Sequence, residues 1–187
     1  MEIRPNNFLG YWLFYAERSV AYAFYEALKE CCREHNKPYI LTPPQWGMLY
    51  QLSLDDGLTI GMLSQRGGID PPTVTGIVKR LEHSGLVERV HDREDRRVVK
   101  VFLTDEGRDI MRYLPDAVRV FHDVMMKGFS QTERQDLIMQ LQKIVANLSA
   151  VGPGMGDRFG LLPDFIRLDP MGEEPEEKIT EHYHERE

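Results

Sequence analysis

Cysteine is nearly absent from this 187-residue chain, which has only two, adjacent at Cys31 and Cys32. Two neighbouring thiols exclude a disulfide framework and fit a reducing compartment. Long apolar runs are missing as well. The richest stretches, FLGYWLFYA (8–16) and VAYAFY (20–25), are interrupted by Glu17, Arg18 and Ser19, so neither approaches the roughly 20 residues that span a bilayer. No basic segment followed by a small-residue cleavage site opens the chain, and a cytoplasmic location is expected. Catalytic signatures are lacking: there is no H-E-x-x-H, G-x-S-x-G, phosphate-binding glycine loop or C-x-x-C. His91 and Asp92 are neighbours, but adjacent strand residues face opposite sides and rarely form a catalytic pair. No enzyme and no cofactor are expected.

An excess of basic residues is also missing, since the formal net charge is -7. Its distribution matters more than its sum. Residues 151–187 carry ten Asp or Glu against four Lys or Arg, so the rest of the chain is close to neutral. Residues 62–101 hold eight Lys or Arg against six acids, a balance compatible with a phosphate-facing surface.

With 42% hydrophobic residues the chain is long enough to bury a core. Residues 8 to about 35 repeat apolar groups at helical spacing and predict one long helix. Thr42, Pro43 and Gln45 form the T-x-x-Q start of a second helix, which LDDG ends. Two short helices follow, TIGMLSQR and PPTVTGIVKRLEHS, joined by GGID. Gly67 and Gly68 are expected to supply positive backbone angles, Asp70 to cap the second member and Pro71 to open it. That outline is a helix-turn-helix. Its second member puts Val74, Ile77, Val78 and Leu81 on one face and Pro72, Thr73, Thr75, Gly76 and Lys79 on the other.

After Gly85 the hydrophobic period changes to two. LVERVH and VVKVFL read as strands, with Val99, Val101 and Leu103 on one face of the second. The charged stretch HDREDRR (91–97) joins them. A β-hairpin after a helix-turn-helix describes a winged helix. Thr104 caps what reads as one long helix through Ile110, Leu114, Val118, Phe121 and Met125, bent at Pro115. Ser130 and Glu133 open a last helix through Leu137, Leu141, Ile144 and Leu148. Beyond GPGMG at 152–156 the pattern dissolves into an acidic segment expected to be partly disordered.

A polar helix face at 72–79 suits a major groove, where small hydroxyl residues bond base edges or phosphates. Arg93, Arg96 and Arg97 at the hairpin tip suit phosphates or a minor groove, and Asp95 stands two residues from Arg97, close enough to hold its guanidinium. A merely solvated face and a solvated charged turn account for the same residues, because surface ion pairs are common and contribute little.

Residues 42–107 resemble the DNA-binding lobe of the multiple-antibiotic-resistance regulator (MarR) family, through LTPPQWGML, PPTVTGIVKRLEHSGLVER and DREDRRVVKVFLTDEG. The last string fits the family's wing pattern in Asp95, Arg97, Leu103, Thr104 and Gly107. With the flanking helices the resemblance covers residues 8–150. It implies a mainly α fold with a small β-hairpin wing. Residues 1–40 would be an N-terminal dimerisation helix, 41–104 the winged helix-turn-helix lobe, 105–150 C-terminal dimerisation helices, and 151–187 a tail without counterpart.

The resemblance further implies a homodimer that binds double-stranded DNA at a pseudo-palindromic operator. Such a protein is more often a repressor, released by a small aromatic or phenolic ligand. Arg97 would enter the minor groove with Asp95 as its partner, and Thr73, Thr75 and Lys79 would read the major groove. The double proline at Pro71 and Pro72 departs from the pattern and leaves the first turn of that helix short of donors. Tyr11, Trp12 and Tyr15, with Trp46 and Tyr50, are candidates for an aromatic ligand pocket. A dimer core is the simpler account of the same side chains.

Other readings compete. A winged helix that binds protein instead of DNA is suggested by the charge of -7. A cysteine redox sensor is suggested by Cys31 and Cys32, although only Lys29 and Arg33 are near in sequence to activate a thiol. Metal binding by Cys31 with His35, or by His182 and His184, lacks a full tetrahedral set.

Overall fold

A computed structural model describes residues 8–149. The acidic segment 151–187, and with it the expectation of disorder there, lies outside the described residues. The order is α1 (Leu9–Glu34), α2 (Pro43–Leu54), β1 (Leu58–Thr59), α3 (Ile60–Gly67), α4 (Pro71–His83), β2 (Val87–His91), β3 (Val99–Leu103), α5 (Asp105–Ile110), α6 (Leu114–Met125) and α7 (Gln131–Ser149). The architecture is mainly helical, with one small antiparallel sheet of order β1-β3-β2.

The core sits in the middle of the chain. Leu28, Cys31 and Cys32 from the end of α1 join Met48, Leu49 and Leu52 of α2, Leu63 of α3, the apolar face of α4, Val101 and Leu103 of β3, and Ile110 to Leu114. Each start signal has its physical counterpart. The Gln45 carboxamide oxygen accepts from the Thr42 amide at 2.9 Å, Thr59 caps α3, Asp70 caps α4 and Thr104 caps α5. Ser130 and Glu133 bond each other's backbone N–H groups at the start of α7.

Three expectations need correction. Only Gly68 takes a left-handed angle (φ 61°) between α3 and α4; Gly67 is the last residue of α3, and Met48 lies 3.0 Å from where its Cβ would be. The helix after Thr104 is not one bent rod. It stops at Ile110, turns through Met111 to Tyr113, and restarts as α6 with Pro115 in its first turn, where a missing N–H costs nothing. The sheet has a third strand, β1, whose two residues pair with Val101 and Lys100. Two residues are too few for a period to register in the sequence.

The apolar faces of the outer helices remain uncovered. Trp12 and Tyr22 on α1, Val124 on α6, and Ile138 and Leu148 on α7 are each more than half exposed.

Candidate nucleic-acid interface

The reading helix is held by its buried face. Val74, Ile77, Val78 and Leu81 are at most 2% exposed, so α4 cannot rotate without uncovering four apolar side chains, at ~1.5–3 kcal/mol each. Pro72, Thr73 and Lys79 consequently face solvent, with Thr75 and Gly76 half-buried beside them. Two details alter what this face can do. Pro71 and Pro72 have no N–H, the Thr73 amide donates to Asp70 Oδ1 at 2.9 Å, and the Val74 amide donates to the Asp70 carbonyl at 3.0 Å. The N-terminus of α4 therefore has no spare amide for a phosphate, unlike an ordinary helix end. The Thr75 hydroxyl donates to the Pro71 carbonyl at 2.8 Å, so toward a ligand it is an acceptor only.

The hairpin pairs Val87 with Leu103 at its base and His91 with Val99 at its end. The turn beyond is organised by Asp92, which the sequence suggested only as a neighbour of His91 and not in this role. Its Oδ1 accepts from the amides of Glu94 (2.9 Å) and Asp95 (3.2 Å), and its Oδ2 pairs with Lys100 Nζ at 2.7 Å. The Lys100 ammonium, then the two amides, lower its carboxyl to about 2. A signal was available, since an acid at the start of a turn commonly bonds backbone N–H groups two and three residues on.

Asp95 does not hold the Arg97 guanidinium. Its Oδ1 accepts from the Arg97 backbone amide at 2.9 Å, a local Asx bond that residues two apart make more readily than a side-chain pair. His91 Nδ1 meets the Arg96 carbonyl at 2.8 Å and so donates to it. Arg93, Arg96 and Arg97 are exposed and take part in no ion pair among the described residues. The acids of the turn shape its backbone and leave the three arginines free to act outward.

The wing is tied to the rest of the lobe at two places. Arg89 on β2 reaches back to Glu82 of α4 through Nε (3.0 Å) and Nη2 (2.6 Å), fixing wing against reading helix. Asp56, in the loop before β1, accepts from the Leu103 amide at 2.9 Å and from Arg108 Nη1 at 2.7 Å. The first tie joins residues seven apart across a change from helix to strand and the second residues 47 and 52 apart, and no local pattern announces either. A further junction links the end of α1 to α5: Lys37 pairs with Asp109 at 2.6 Å and Glu106 at 3.1 Å, while the Tyr39 hydroxyl donates to Glu106 at 2.7 Å. Burial, then the Glu106 carboxylate, raises the Tyr39 phenol above its ordinary value.

The five aromatic candidates are not brought together within one chain. Trp46 and Tyr50 stack at 5.3 Å, and Phe24 packs edge-on against Trp46 and flat against Phe121 at 4.9 Å. Tyr11 and Tyr15 meet each other, and with Trp12 they are exposed. Thirteen residues of α1 separate Tyr11 from Phe24, about 20 Å of helix. The indole N–H of Trp46 is buried without a hydrogen-bond partner among the described residues, and nothing in the sequence marked it.

Cys31 and Cys32 are free and buried, at 4% and 1% exposure. Burial pushes the Cys31 thiol up to about 11 and raises Cys32, the opposite of what activates a sensor thiol. His35 faces Cys31 Sγ at 3.9 Å and stacks on Tyr113, and among the described residues no three His, Cys, Asp or Glu side chains gather to hold a metal. No helix among the described residues is long and apolar enough to cross a membrane.

Comparison with known proteins agrees with this geometry. A profile of the MarR family matches residues 41–98, from the segment just before α2 to the end of the wing tip. The chain is 36% identical over 141 residues to the HTH-type transcriptional regulator TtmR of Methylorubrum extorquens, covering 74% of this chain and 68% of that one. It is 30% identical over 135 residues to SarZ of Staphylococcus epidermidis, also an HTH-type transcriptional regulator, covering 70% and 89%. Among solved structures, the transcriptional repressor CouR bound to a 23-mer DNA duplex superposes with a TM-score of 0.65 at 25% identity, over 77% of this chain and 99% of that one.

Proposed function

The chain belongs to the MarR family of winged helix-turn-helix transcriptional regulators, and from that premise we propose that it is a homodimeric repressor of a pseudo-palindromic operator, released by a small aromatic ligand. The observation that carries the reading is the pairing of an outward α4 face with a wing tip whose three arginines are uncommitted. Thr73, Thr75 and Lys79 read the major groove, Thr75 as an acceptor, with Pro72 and Gly76 keeping the face low. Arg97 enters the minor groove, where a narrow, strongly negative channel favours guanidinium, and Arg93 and Arg96 bind flanking phosphates. Asp95 serves by setting the backbone at Arg97. CouR, described as a repressor in complex with DNA, supports the polarity of the response.

The uncovered apolar side chains of α1, α6 and α7 support dimerisation, since a lone chain rarely leaves this many large apolar groups exposed on three helices. A two-fold dimer would place half-sites about 34–36 Å apart. Tyr11, Trp12 and Tyr15 belong to that dimer surface. Trp46 and Tyr50 form the ligand seat, where the unpartnered indole N–H offers a donor to an acidic or phenolic effector.

Footprinting over the adjacent upstream DNA tests the reading. Protection of an inverted repeat is expected. Arg97→Ala should abolish it, and Lys79→Ala should weaken binding to all sequences while lowering the salt slope by about one unit. No preference for the upstream DNA over random duplex at moderate salt refutes the proposal, and the protein-binding winged helix then becomes the better account.

A further inference from the structure

Most of this protein's net negative charge lies beyond α7, and Lys79, Arg93, Arg96 and Arg97, exposed and without ion-pair partners among the described residues, lie on α4 and the wing tip. We propose that the acidic C-terminal segment, above all Glu173, Glu174, Glu176 and Glu177, docks on the wing arginines and Lys79 and competes there with nucleic acid. The inference rests on the DNA-binding reading of that surface and adds a regulatory partner carried by the chain itself.

Charge complementarity argues for it. Four acids of the lobe are already paired with bases of its own: Asp92 with Lys100, Glu82 with Arg89, Asp56 with Arg108, Asp55 with Arg66. Arg93, Arg96, Arg97 and Lys79 have no ion-pair partner among the described residues. Residues 151–187 carry a net charge of -6, with four of the acids within five positions at EEPEE. Reach is no obstacle, because the 24 residues from 150 to 173 span up to ~80 Å when extended, twice the length of α1. Tethering makes a weak contact effective, since a linker of this length holds the acids near the surface at roughly millimolar concentration. A carboxylate run offers arginines the same ligand chemistry as a phosphate run, but at lower charge density. It would therefore lower the affinity for operator and random duplex by the same factor, which leaves an operator bound under conditions where random duplex is released.

The test uses full-length protein. E173Q/E174Q/E176Q/E177Q should bind random duplex roughly three- to tenfold tighter than the parent at low salt, with a steeper salt dependence and a difference that vanishes at high salt. The gain should disappear when R93A, R96A and R97A are present. Without DNA, the backbone amide resonances of residues 92–98 should differ between parent and glutamine variant. Unchanged affinity, a gain that persists without the three arginines, or spectral differences confined to α1 or α7 would overturn the proposal; the second would mean a long-range charge effect, the third docking on an apolar face. If neither protein prefers its upstream DNA, the regulator reading fails, and the wing resonances still decide whether the tail docks.

Discussion

Gly107→Ala isolates the contact that seats the wing on the helical body. A Cβ built on Gly107 would lie 2.1 Å from the Leu86 carbonyl oxygen and 3.3 Å from Leu103 Cδ2. That oxygen is backbone in a buried residue, and it accepts the Thr104 amide at 3.1 Å, so it cannot yield without loosening the base of the hairpin. Relieving the contact needs a shift of about 1 Å, an overpacking that costs ~1–3 kcal/mol. Weakening the buried Leu86–Thr104 hydrogen bond adds about 1–2 kcal/mol. Alanine's better helix propensity returns at most ~1 kcal/mol. The clash wins, with a net loss of about 1–4 kcal/mol and a fall in Tm on the order of 10 °C at the upper end. Urea unfolding followed by circular dichroism measures the difference. A variant within about 0.5 kcal/mol of the parent, the range of an ordinary surface change, would refute the reasoning.

Four further outcomes are expected. Asp92→Ala should weaken operator binding, because losing the Glu94, Asp95 and Lys100 contacts loosens the turn that carries the arginines; tighter binding by fluorescence anisotropy would mean that removing a negative charge outweighs turn order. Because the Asp92 carboxyl is lowered to about 2, its contribution to wing order is complete above the ordinary carboxylate value near 4 and is lost as pH falls through about 2. Amide exchange at Glu94 and Asp95 should therefore be equally protected at pH 7 and pH 5. Cys31 and Cys32 should resist iodoacetamide at pH 8 in the native protein and react once it is unfolded in guanidinium; rapid native labelling would revive a redox role. Val124→Glu on the exposed face of α6 should yield a folded monomer by analytical ultracentrifugation, whereas an unchanged mass would exclude α6 from the interface.

The lobe was legible in the sequence because its signals are local. Helix caps at Thr42, Asp70, Thr104 and Ser130, the change of hydrophobic period after Gly85, and the alternation in β3 each depend on residues within a turn or two of one another. The polar face of α4 and the exposure of the wing arginines follow from the same patterns. What failed was reading chemistry from adjacency. Asp95 stands beside Arg97 and was assigned to its guanidinium, but an Asx bond to the amide two residues on is shorter-range and costs less side-chain entropy. Pro115 was read as a bend, yet a proline fits the start of a helix at little cost and its interior at ~3 kcal/mol, so the chain broke the helix ahead of it.

By itself, then, the sequence determined the family, the order of elements apart from β1 and the break between α5 and α6, and which side chains could face outward on α4 and the wing, because those depend on periodicity and caps. Only the tertiary structure decided which charges remain available. Glu82 with Arg89, Asp56 with Arg108, and Lys37 with Asp109 are separated by seven to 72 residues and meet only once the core has formed. It likewise separated one list of aromatics into Tyr11, Trp12 and Tyr15 near the start of α1 and Trp46 and Tyr50 on α2 beside Phe24, since a rigid helix of about 39 Å keeps its ends apart whatever their composition. Charge pairing and burial are properties of distance in space, and those distances exist only in the folded chain.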